Sequence, residues 1–122
     1  MGDDLNSFLP LSPAVLHTLL ALAGEARHGY GIMQEVARQS DGRYKLGPGT
    51  LYDNLQKLLD SGIVEESSRG SSSSGSSTAK DPRRRYYRLT GFGQRLLSTE
   101  ITRLEGVVRE ARLHLKPRLG KA

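Results

Sequence analysis

The stretch Gly47-Pro48-Gly49-Thr50-Leu51-Tyr52 opens the segment that most constrains the fold. Proline belongs in a first helical turn, where its ring fixes φ and its missing N–H is not needed. Beyond it, Leu51, Leu55, Leu58 and Leu59 recur at helical spacing and predict a buried stripe. The opposite side carries Gly49, Asp53, Gln56, Lys57 and Asp60, with Thr50, Asn54 and Tyr52 on the flanks. Ser61-Gly62 ends the helix and Ile63 to Glu66 reads as a strand. A Ser/Gly tract with too little apolar matter to pack predicts a flexible tip over 67–82. The chain then returns through Arg83-Arg84-Arg85-Tyr86-Tyr87-Arg88-Leu89. Alternation there places Tyr87 and Leu89 inward and Arg84, Tyr86 and Arg88 outward.

The flanking segments complete the frame. Ser12-Pro13 is a capped helix start. Val15, Leu16, Leu19, Leu20, Leu22 and Ala23 then cover a wider arc than one core requires, which points to a second partner. Gly24 is the expected stop. Tyr30 to Ser40 predicts another helix, with Ile32, Met33 and Val36 inward and Asp41-Gly42 as the closing turn. Arg43 to Leu46 alternates and fits either a short strand or an extended connector.

Thr90 is the expected cap of a last helix. On it Leu97, Ile101, Leu104, Val108, Ala111 and Leu115 recur at spacings of 4, 3, 4, 3 and 4, a heptad seam broadened by Leu96 and Val107. Such a stripe packs either on its own domain or on a symmetry mate. The helix outruns what three short helices cover, which favours the mate, and Leu16 and Leu20 join the expected interface.

The predicted class is a mainly α fold with a small β-hairpin: a winged helix-turn-helix over 1–90 plus a C-terminal dimerisation helix over 91–116. A length of 122 residues suits one such domain with an appended element. With 36% hydrophobic and 6% aromatic residues, the core is aliphatic and small. No run approaches the roughly 20 apolar residues that cross a bilayer, so no membrane partner is expected. Met1-Gly2-Asp3-Asp4 is acidic, unlike a signal peptide, so the expected location is cytoplasmic. The absence of cysteine excludes thiolate chemistry and Cys-based zinc sites.

Charge is strongly asymmetric. Through Glu66 there are five Lys/Arg against nine Asp/Glu, and from Ser67 onward thirteen against four. The second half is therefore the half suited to a polyanion.

Four segments resemble the PadR family of bacterial transcriptional regulators. They are Leu16-His17-Thr18-Leu19-Leu20, His28-Gly29-Tyr30-Gly31-Ile32, Gly47-Pro48-Gly49-Thr50-Leu51-Tyr52 and Arg85-Tyr86-Tyr87-Arg88-Leu89-Thr90. The single terminal helix resembles the family's short subgroup. The resemblance implies a homodimeric repressor whose third helix enters the DNA major groove while the wing touches the flank. It also implies Tyr30 as a backbone contact, and relief of repression by a small aromatic or amphiphilic effector.

The residues suit double-stranded DNA on their own account. A helix N-terminus favours phosphate, and Gly49 permits close approach. Thr50 and Tyr52 carry hydroxyls that can donate to phosphate, although Tyr52 also fits a half-buried helix edge. Asn54 and Gln56 match adenine, and Lys57 matches guanine or phosphate. Asp53 repels a duplex unless it accepts from cytosine or pairs with a neighbour. Lys80, Arg83, Arg84 and Arg85 are the phosphate or minor-groove candidates.

No enzyme, cofactor or metal centre is expected. Gly29-x-Gly31 and Gly47-x-Gly49 complete no dinucleotide fingerprint, and His17, His28 and His114 lack ligand spacing. The alternatives to a sequence-specific regulator are a winged-helix adaptor for protein contact and a nonspecific nucleic-acid binder.

Overall fold

The computed structural model describes residues 2–67 and 85–115. Its elements are α1 (Gly2–Ser7), α2 (Pro13–Ala21), β1 (Arg27–His28), α3 (Gly29–Gln39), α4 (Pro48–Asp60), β2 (Val64–Ser67), β3 (Tyr86–Leu89) and α5 (Gly91–His114). This is a winged helix-turn-helix in which α2, α3 and α4 pack together and the sheet closes one end.

Local chemistry sets the boundaries. Ser12 caps α2, its hydroxyl accepting from the Val15 N–H at 3.2 Å. Asp41 (φ 58°) and Gly42 (φ 77°) form the left-handed turn that stops α3. Arg43 to Leu46 is an extended connector, not a strand, and Leu46 is buried. Leu51, Leu55 and Leu58 form the buried stripe of α4 together with Ile32 and Val36 of α3. Tyr87 and Leu89 are buried on β3, as their alternation predicts.

Two elements escaped the sequence reading. The expected hairpin is a three-stranded antiparallel sheet in the order β1-β3-β2. Arg27 pairs with Tyr87 and His28 with Tyr86 on one side, and Val64 pairs with Leu89 on the other. Also unforeseen is α1, after which Phe8 meets Phe92 edge-on at 5.9 Å and lays the amino-terminal arm against the start of α5.

The first half of α5 belongs to the same core. Thr90 caps it, accepting from the Gly93 N–H at 2.9 Å while its hydroxyl donates to the Gly62 carbonyl at 2.6 Å. Gly93 lets the helix ride directly on the Ile63 carbonyl, where a Cβ would overlap the backbone. Glu100 is fully buried: it accepts from the Leu11 N–H at 3.0 Å and from the Arg103 guanidinium at 2.6 and 2.9 Å. The Arg103 fork, aided by that N–H, holds its carboxyl below the usual range against the opposing effect of burial.

One interface expectation is corrected here. Leu97 is 7% exposed and packs in its own protomer's core beside Leu96, because the first half of α5 packs against α2 and β3. Leu16, Leu20, Ile101 and Leu104 are half-buried, whereas Val108, Ala111 and Leu115 are exposed.

Candidate nucleic-acid interface

Pro48 starts α4 after Gly47, and among the described residues no side chain caps the N–H groups there. Gly49, Thr50, Asp53, Gln56 and Lys57 are all exposed on one side, opposite the leucines that anchor the helix. Carboxylates on the same side pair with the polar side chains. Lys57 Nζ lies 3.7 Å from Asp53, and Gln56 Nε2 donates to Asp60 at 3.1 Å. Exposed pairs of this kind are worth ~0.3–0.5 kcal/mol, so a competing partner separates them at little cost. The awkward Asp53 is thus a holder for Lys57.

Two flank positions differ from each other. Tyr52 is 37% exposed, yet its hydroxyl end rests where a Gly29 side chain would be. It both closes the helix edge and presents a hydroxyl beside α3. Asn54 is half-buried, and its Nδ2 is shielded from solvent with no hydrogen-bond partner among the described residues. That placement corrects the expectation of an exposed amide.

Tyr30, in the first turn of α3, is 62% exposed. Behind it His28 caps the helix, Nδ1 accepting from the Gly31 N–H at 3.1 Å, and its ring stacks on Tyr86 of β3 at 5.3 Å. Sequence reading set His28 aside for lacking metal spacing; its position just ahead of a helix was the available signal.

On the wing, Arg85 reaches Glu66 at 3.0 Å and Arg88 reaches Glu65 at 2.7 Å, all four about half-exposed. Lys80, Arg83 and Arg84 lie outside the described residues, as does nearly all of the expected flexible tip. Arg43 and Lys45, assigned no role from sequence, are exposed on the connector into α4 and add positive charge near its start.

A hollow of about 450 Å³ opens beside the last turn of α4. Phe8, Leu11, Val15, Leu58 and Ile63 line it, with Lys57 and Asp60 at its rim. A groove on distal α5 runs along Ile101, Leu104 and Val108, edged by Glu105, Arg109 and Arg112. Among the described residues, no three His, Asp or Glu side chains cluster as a metal site, and no helix is long and apolar enough to cross a membrane.

Comparison with known proteins agrees with this geometry. Residues 16–99 match the model of the transcriptional regulator PadR-like family. Transcriptional regulator Rv3488 of Mycobacterium tuberculosis is 32% identical over 95 residues, 78% of each chain. A transcriptional regulator from Clostridium thermocellum shares the fold at 20% identity, with a TM-score of 0.65 over 92% of this chain and 94% of that one. RosR from H. salinarum gives a TM-score of 0.57 at 25% identity, over 84% of this chain and 79% of that one. A winged helix-turn-helix with an uncovered polar face on its third core helix, matched to that family over most of its length, belongs to the PadR-like transcriptional regulators.

Proposed function

We propose that the chain acts as a homodimeric, sequence-specific DNA-binding repressor released by a small aromatic or amphiphilic effector. The observation that carries the DNA reading is the exposed side of α4, where Thr50, Gln56 and Lys57 stand clear of the core. In this reading α4 enters the major groove. Gln56 and Lys57 meet base edges, Thr50, Tyr52 and Tyr30 meet phosphates, and Arg85 with its neighbours Arg83, Arg84 and Lys80 grips the flank. Asn54, half-buried, supports the helix and reads bases only if its side chain turns outward.

The second copy is supported by distal α5. Val108 is 47% and Leu115 72% exposed, a cost in water that a matching helix removes. A dimer places two α4 helices on successive major grooves. The effector is supported by the apolar hollow beside α4, whose size suits a small aromatic molecule and whose rim includes Lys57.

Val108→Glu tests the assembly. Light scattering should give the protomer mass, and tight duplex binding should vanish with it. A variant that keeps both dimer mass and affinity would contradict the seam.

A further inference from the structure

His28 sits where three elements meet. Its backbone pairs with Tyr86 across β1 and β3, its side chain caps α3, and its ring stacks on Tyr86 with planes 14° apart. The ring is also wedged over Gly31, where a Cβ would come within 2.9 Å of Nδ1. One imidazole thus links the start of α3, which carries Tyr30, to the strand that carries the wing.

The cap fixes the charge state. A ring nitrogen that accepts from a backbone N–H carries no proton, so the imidazole is neutral with its hydrogen on Nε2. A proton on Nδ1 would set two N–H groups against each other at 3.1 Å. Charged and titratable groups on the surrounding elements include Arg27 on β1, Tyr30, Glu35 and Arg38 on α3, Tyr52 on α4, Glu66 on β2 and Tyr86 on β3, with Arg85 just ahead of β3. Their carboxylates are already engaged, Glu35 with Arg38 and Arg27 and Glu66 with Arg85. Among the described residues none is paired with His28 to reward its protonation. Histidine is the side chain whose charge changes most readily across physiological pH.

We infer that His28 is a positioning residue whose neutral ring couples α3 to the wing, so that protonating it lowers affinity for duplex DNA. This rests on the DNA-binding reading above. Losing one cap shifts the equilibrium against the competent arrangement roughly five- to tenfold, which is the upper bound on the fall in apparent affinity. The sign is diagnostic, because added positive charge elsewhere would tighten binding to a polyanion.

The test compares the full-length chain with His28→Asn, which can still cap but does not titrate. If that variant does not fold, His28→Ser, also a capping residue, replaces it. Binding to a labelled duplex of about 30 base pairs is followed from pH 8 to pH 5.5 by anisotropy, and the Gly31 amide by NMR over the same range. The wild type should lose affinity, by up to roughly five- to tenfold, while the variant holds or gains, and the Gly31 amide should move with the His28 ring. Parallel pH profiles, or a Gly31 amide indifferent to His28, would overturn the inference. No binding by either chain at pH 8 would instead sink the DNA reading, and the amide would then decide the inference alone.

Discussion

Replacing Gly93 by Ala sets two effects of opposite sign against each other. Helix propensity favours Ala over Gly by ~1 kcal/mol. Against it, the new Cβ would overlap the Ile63 carbonyl and lie 3.3 Å from Ile63 Cγ2. That carbonyl has nowhere to retreat. The Thr90 N–H donates to it at 3.1 Å, the Thr90 hydroxyl lies 3.1 Å away, and β2 begins at the next residue. Overpacking costs ~1–3 kcal/mol in general, and a clash with pinned backbone belongs at the upper end. A net loss of ~2 kcal/mol follows.

Gly106 is the control within the same helix. A Cβ there meets nothing within 4 Å, and the residue faces away from the Ile101–Val108 side, so Gly106→Ala should gain ~1 kcal/mol. Urea unfolding followed by circular dichroism measures both, at one protomer concentration because association shifts apparent stability. The midpoint should fall for Gly93→Ala and rise for Gly106→Ala. Equal shifts in one direction, or a Gly93→Ala chain as stable as the parent, would refute the argument from close approach.

Three further outcomes are expected. Arg38, helped by Gln39 and Arg27, holds the Glu35 carboxyl at about 2, below its ordinary 4.5. Its contribution is full above pH 4.5 and lost as pH falls from there toward 2. Glu35→Gln should therefore flatten that part of the acid-unfolding curve and cost ~1–2 kcal/mol at neutral pH. Glu100→Ala strands the Leu11 N–H and the Arg103 fork and should lower stability by ~2–4 kcal/mol in the same urea assay. Gly29→Ala displaces the end of the Tyr52 side chain, which can swing aside. It should cost under ~1 kcal/mol in stability while weakening duplex binding about tenfold by anisotropy.

The sequence was most legible where a local rule and the tertiary fold agree. Pro48 and the leucine spacing located α4, Thr90 located the start of α5, and alternation identified Tyr87 and Leu89. Short or polar elements were not legible. β1 has two residues, too few for a period to register, and α1 reads Gly-Asp-Asp-Leu-Asn-Ser, with one apolar side chain. Glu100 breaks the usual rule that carboxylates face water, and its burial is explained by the Arg103 fork together with the approach of the Leu11 N–H from 89 residues away. Leu97 fits a heptad and the domain core equally well by spacing, and only the rotation of α5 decides between them. For the site, exposure of Gln56 and Lys57 was foreseeable from one helical face. The burial of Asn54 and the capping by His28 depend on neighbours that a single helix pattern does not reveal.

The measurement closest to the central claim is anisotropy of the full-length chain on a labelled duplex of about 30 base pairs from its own gene's upstream region, with a random-site selection supplying the duplex if that region is not its operator. A scrambled duplex runs beside it across a salt series. A sequence-reading regulator should prefer its site by at least ~10³-fold, with both affinities falling steeply as salt rises. Equal affinity for selected and scrambled duplexes, or no binding even at low salt, would contradict it.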